Sequence, residues 1–182
     1  MFKIILFIIL SIPVIIISWR SLFSLKSHGF YRFVSWECII WLFTSNYPFW
    51  FEDPLSLQQI FSWIFLLASA YTIIAGVITL KRKGKAGKDR DDSNLYTFEK
   101  TSELVDTGIY KYIRHPLYAS LLYLTWGICL KNPTLVLLLV SVASSVSLLI
   151  TALFDEKECT EVFGEEYREY MKRSKRFVPF VF

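Results

Sequence analysis

The sequence predicts an all-α, integral-membrane bundle of about five transmembrane helices. Three observations carry this. Of 182 residues, 54% are hydrophobic and only 20% are charged, an apolar excess that soluble domains do not show. The apolar residues gather in runs near the about 20 residues that cross a 30 Å hydrocarbon core. The lysines and arginines gather in alternate connectors, as they do when one side of a membrane is cytosolic. The length allows one domain, 1–182.

The first run covers residues 2–19 and carries Pro13, where a kink is expected. Lys3 before an apolar stretch suggests a signal peptide. The run lacks a small-residue cleavage pattern and further spans follow it, so it reads as a retained helix. A basic connector with His28 and Gly29 leads to the second run, 33–51, in which Trp41, Tyr47, Phe49 and Trp50 form an aromatic belt. Glu37 in this run is expected to snorkel to the interface. After the acidic turn Glu52-Asp53-Pro54, residues 57–80 make a third run free of charge, and Ala68, Ser69, Ala70, Ala75 and Gly76 let a neighbouring helix come close.

Residues 81–103 form a hydrophilic, basic loop, read either as a positive-inside connector or as a lid or patch for anionic lipid heads. Residues 116–130 are apolar but reach only roughly 22 Å as a helix. The turn Lys131-Asn132-Pro133 and the run 134–154 complete an antiparallel hairpin. From Asp155 the tail reads as an amphipathic cytosolic helix, with Phe163, Tyr167, Tyr170 and Met171 at helical spacing and Gly164 as an interruption. The closing RFVPFVF is expected to tuck back onto the bundle. With five spans, the basic connectors place the N-terminus outside and the C-terminus in the cytosol.

Several function classes drop out. The net charge of +4 lies in patches without a nucleic-acid motif. Cys38, Cys129 and Cys159 are scattered and neither histidine lies near a cysteine in sequence, which argues against a disulfide framework or a metal site. No two glycines stand one residue apart, so a dinucleotide G-x-G loop is absent.

The stretch that carries chemistry is LVDTGIYKYIRHPLY, 104–118. Tyr110, Arg114, His115 and Tyr118 fall within nine positions at the mouth of an apolar run. Polar groups there are costly unless they have partners. Pro116 suits a first helical turn and turns His115 toward an extended backbone. One reading is an interfacial anchor, the other a ligand site. Helical spacing sets Glu156 on the same face as Phe163 and Tyr167, where it needs a partner: a bound ligand, or a cation such as Arg114.

RHPLY after LVDTGIY, followed by DEKECTEVFGEEYREY and RFVP, resembles the isoprenylcysteine carboxyl methyltransferase and phospholipid methyltransferase superfamily, over almost half the chain, 98–182. The resemblance implies an integral-membrane enzyme that uses S-adenosyl-L-methionine on a lipophilic acceptor at the cytosolic face. It implies cofactor contacts at Ser102, Glu103, Leu104, Val105, Tyr110, His115, Pro116, Leu117, Tyr118 and Glu156, with Gly108 permitting a turn. His115, Arg114 and Glu156 are the candidate catalytic residues. Such a ligand needs aromatic faces for its sulfonium, an acceptor for its amino and hydroxyl groups, and donors for its carboxylate. One departure matters. Eukaryotic isoprenylcysteine enzymes carry an arginine shortly before the acidic pair, where this chain has Thr151. The expected acceptor is therefore a lipid amine, thiol or hydroxyl and not a prenylcysteine carboxylate. The rival readings are a membrane reductase of sterol-reductase type using NADPH and a non-catalytic membrane scaffold.

Overall fold

A computed structural model describes residues 1–19, 22, 28–83 and 103–181. Among them are six α-helices: α1 Phe2–Ser18, α2 His28–Asn46, α3 Leu57–Lys83, α4 Pro116–Cys129, α5 Leu135–Phe163 and α6 Glu165–Arg173. Single 3₁₀ turns, Tyr47–Phe49 and Gly108–Lys111, precede α3 and α4, and no strand is present among the described residues beyond one isolated bridge. The fold class is all-α, as expected. Two helices, α3 and α5, are long and apolar enough to cross a membrane, while α1 and α4 are apolar but shorter. Most of the basic loop, 84–102, lies outside the described residues, and Ser102 with it.

The boundaries of three helices differ from the expected runs. α2 begins at His28, five residues early, and gives way at Asn46 to the 3₁₀ turn that holds Pro48, because a residue before proline is biased away from the helical region. α3 runs on to Lys83, with Lys81, Arg82 and Lys83 in its last turn, where cations meet the negative end of the dipole. α5 does not stop at Phe154. Residues 151–163 contain neither Pro nor Gly, so the helix continues until Gly164, with φ 59° and ψ −130°, ends it. The amphipathic helix is α6 alone, and Asp155 and Glu156 ride on an extension of the last long helix.

α4 is the buried centre of the bundle and packs on α3, α5 and α2. Its approach to α3 depends on glycine at two levels. A Cβ on Gly127 would sit 2.9 Å from Leu66 Cγ, and one on Gly76 would sit 3.2 Å from Pro116 Cγ. Ser69 Oγ between them donates to the Ser120 carbonyl at 2.8 Å. The short α4 ends inside the bundle, so its last carbonyls must find donors there. They do: Ser62 Oγ donates to Gly127, Asn46 Nδ2 to Ile128 and Gln58 Nε2 to Leu130, at 2.7, 2.7 and 2.9 Å. Lys131 in the following turn is 2% exposed. Its ammonium donates to Gln59 Oε1 at 2.9 Å and lies 3.6 Å from the Trp63 ring centroid.

α1 packs on α2. Ser11, the buried residue of α1, donates to Glu37 Oε2 at 2.7 Å. Glu37 thus serves a helix contact where snorkelling was expected.

Candidate functional site

The C-terminal end of α3, the start of α4 and the extension of α5 converge on a half-open cleft of about 640 Å³, counted together with the solvent space at its mouth. Its wall holds Leu80, the loop residues Leu104 and Val105, Tyr110, the run Arg114 to Tyr118, then Asp155, Cys159 and Phe163 from α5 and Tyr167 and Tyr170 from α6.

Local sequence builds the wall. Gly108 has φ 60°, and a Cβ there would lie 2.8 Å from Thr79 Oγ1, so only glycine permits this close turn against α3. The turn presents Tyr110, which is buried and whose carbonyl accepts from the Tyr170 hydroxyl at 2.6 Å. His115 stands just before α4 with φ −122° and ψ 63°, and Pro116 opens the helix; the residue before proline is non-helical as expected, but its ψ falls short of the extended backbone that the sequence predicts. The His115 ring stacks on Tyr118 with centroids 5.4 Å apart and planes at 22°.

Behind the wall is an ion cluster. His115 Nδ1 lies 3.4 Å from Asp155 Oδ2 and its Nε2 lies 3.4 Å from Glu156 Oε1. Glu156 Oε1 accepts from Arg114 Nε at 3.0 Å, and Arg114 Nη2 is also at 3.0 Å. Arg176 Nε and Nη2 meet Glu156 Oε1 and Oε2 at 3.0 and 2.8 Å. Burial alone would lower the His115 pKa. The hydrogen bonds and charges of Asp155 and Glu156 outweigh it and raise the pKa above its usual value. Burial pushes the Tyr167 and Tyr170 phenols up, so both stay neutral.

Of the residues expected from sequence, Leu104, Val105, Tyr110, Arg114, His115, Pro116, Leu117 and Tyr118 line the cleft. Glu103 is exposed and Gly108 shapes the turn. Glu156 is buried beside the cleft, within the ion cluster and not among the lining residues. The cation partner weighed for it, Arg114, is present. Asp155, Cys159 and Phe163 were missed, although their spacing of four puts them on one helical stripe. Glu156, about 100° further round, points elsewhere. Arg176 was also missed, and its only signal was the RF of the RFVP ending.

The donor set fits a cationic, hydroxyl-bearing ligand. Five aromatic side chains, Tyr110, Tyr118, Phe163, Tyr167 and Tyr170, offer faces to a cation. Asp155 offers a carboxylate to ammonium or hydroxyl groups.

The phospholipid methyltransferase family matches residues 57–166, more than half of the chain. Methanethiol S-methyltransferase of Pseudomonas deceptionensis is 34% identical over 71 residues, 39% of this chain and 26% of that protein. Protein-S-isoprenylcysteine O-methyltransferase of Homo sapiens is 30% identical over 146 residues, 78% of this chain and 49% of that protein. Methanethiol S-methyltransferase of Crocosphaera subtropica is 26% identical over 74 residues, 41% of this chain and 28% of that protein. The chain thus spans about a quarter to a half of the length of these relatives. No solved structure matches at a significant level. The match over more than half of its length places this chain in the phospholipid methyltransferase family.

Proposed function

We propose that the protein is an S-adenosyl-L-methionine-dependent, multi-pass membrane methyltransferase acting on a lipophilic acceptor from the cytosolic face. The observation that carries this is the aromatic cleft with Asp155 and His115 at its wall. Tyr110, Tyr118, Phe163, Tyr167 and Tyr170 would surround the sulfonium, and Asp155 would accept from amino or hydroxyl groups. When bound, the cofactor supplies an electrophilic methyl group.

The chain's own residues orient, exclude water and manage the proton. His115, placed between two carboxylates that raise its pKa, would act as a positioning group. A thiol or amine acceptor must shed a proton, and Asp155 is the carboxylate at the wall that can take it. Alignment in a site shielded from water supplies the remaining acceleration.

The acceptor we favour is a thiol or amine on an apolar body. Arg114 and Arg176 are both engaged by Glu156. Thr151 is fully buried and donates to the Ser147 carbonyl at 2.8 Å, so it offers nothing to a carboxylate. The relatives named for methanethiol favour sulfur. The protein in lipid nanodiscs is expected to bind S-adenosylhomocysteine by calorimetry, in preference to NADPH. It should methylate long-chain thiols or amines faster than a farnesylated-cysteine analogue. No binding at millimolar S-adenosylhomocysteine would sink the reading, and rapid turnover of the farnesylated analogue would overturn the acceptor assignment.

A further inference from the structure

Arg176 lies beyond α6, far in sequence from Arg114 and His115, and a short strap delivers it to them. The Arg114 amide donates to the Lys175 carbonyl at 2.7 Å, the Lys175 amide to Tyr112 at 3.0 Å and the His115 amide to Arg176 at 3.2 Å. These bonds lay residues 174–177 parallel to residues 112–115, with Ile113 bridged to Lys175. Phe177 locks the strap from below. It is 2% exposed, its ring centroid is 6.3 Å from that of His115, and its carbonyl accepts from the Tyr123 hydroxyl at 3.1 Å.

The two arginines that meet Glu156 act differently. Arg114 directs Nε and Nη2 at the same oxygen, Oε1. That grip fixes one atom and leaves the carboxylate plane free to turn. Arg176 spans both oxygens, Nε to Oε1 and Nη2 to Oε2, and a fork on two oxygens fixes the plane. Oε1 is also the atom facing His115 Nε2, and the opposite ring nitrogen faces Asp155. A turn of the Glu156 plane therefore passes through the imidazole to the carboxylate at the cleft wall.

We infer that Arg176 is a positioning residue of the cleft, which sets the plane of Glu156 and through it the His115 ring and Asp155. Only the ligand-binding arm of the following test rests on the proposed cofactor. The full chain, labelled with ¹⁵N-histidine in nanodiscs, contains His28 and His115. In Arg176→Ala the ring-nitrogen resonances of His115 should move while those of His28 stay. The dissociation constant for S-adenosylhomocysteine should rise by about tenfold or more, the loss expected for a charged hydrogen-bond pair. Arg176→Lys should show the same His115 displacement and a smaller affinity loss, because an ammonium does not reproduce the fork. If Arg176→Ala does not fold, Arg176→Lys carries both readouts.

A folded variant with unmoved His115 resonances would overturn the inference, whether its affinity is lost or kept, and a lower melting temperature alone would mark a purely structural pair. If the wild type binds no S-adenosylhomocysteine but His115 still moves on substitution, the positioning role stands and the proposed function falls.

Discussion

Asp155 and Glu156 are adjacent, and one helical step gives them different tasks. Asp155 lines the cleft, while the buried Glu156 meets two guanidinium groups. Glu156→Gln keeps the shape but leaves two cations facing a neutral amide. Breaking a buried pair in this way costs about 3–5 kcal/mol, so a large fall in melting temperature is expected. Asp155→Asn removes one carboxylate from His115, so it should lower the melting temperature less than Glu156→Gln does, and weaken S-adenosylhomocysteine binding by about 1.5–3 kcal/mol, the range for charged hydrogen bonds. The reverse pattern in calorimetry and thermal melts would return the ligand role to Glu156. His115 gives a pH signature. Its pKa is raised from the usual 6.5 by the two carboxylates, against the burial that would lower it. A raised pKa adds stability that is complete below the unfolded pKa and disappears as pH rises through the folded one. The stability gap between wild type and His115→Gln should therefore narrow as pH rises from the usual histidine pKa through the raised folded one. A gap that widens with pH would mean a neutral ring. At this scale the sequence was informative wherever residues are contiguous: the run from Arg114 to Tyr118 was assigned to the site and lines the cleft. It was uninformative about Arg176, whose role depends on a backbone pairing across sixty residues.

The helices were legible from their apolar runs, and their ends less so. Extending α5 past Phe154 required weighing helix continuity against falling hydropathy, and the absence of Gly or Pro before Gly164 decided it. The α4–α5 hairpin shows the converse. The shortness of α4 was evident in the sequence, but its consequence was not: carbonyls ending inside the bundle draw Asn46, Gln58 and Ser62 from two other helices. The α3–α4 contact yields a test. The small residues of α3 were expected to admit a neighbour, and Gly76 and Ser69 do so, but the tightest point is Gly127 on α4, 2.9 Å from Leu66 Cγ and 3.1 Å from its backbone nitrogen. Gly127→Ala should cost about 1–3 kcal/mol through overpacking, measured by denaturant unfolding in detergent. Leu66→Ala in the same chain should recover part of that loss, because residues in contact couple. Full recovery is not expected, since the backbone nitrogen stays in place. Strict additivity of the two changes would mean that the helices separate freely at this level.

At the scale of the molecule, the two ends of the bundle differ in charge. The cleft end carries Lys81, Arg82, Lys83 and Lys111 on its surface. The opposite end exposes Glu52 and Asp53, sets Lys3 over the Trp41 ring and buries Lys131 against Trp63. Residues 1–56 lie outside the family match and were readable only as apolar runs. How α1 attaches through Ser11 and Glu37 was not legible, because that bond joins two helices whose facing sides the pattern leaves open. Orientation, in contrast, follows from charge alone. Cytosolic connectors collect Lys and Arg, so the cleft end should face the cytosol and the Glu52–Asp53 turn the other side. A chain with Cys38, Cys129 and Cys159 replaced by Ser or Ala can carry a single new thiol at either end. Glu52 and Lys111 are both exposed, so Glu52→Cys and Lys111→Cys should disturb little. A membrane-impermeant maleimide should label Glu52→Cys on intact cells and Lys111→Cys only after permeabilisation. Labelling of Lys111→Cys on intact cells would put the cleft outside, away from any cytosolic methyl donor. That result would remove the orientation and, with it, the source of the cofactor on which the proposed function depends.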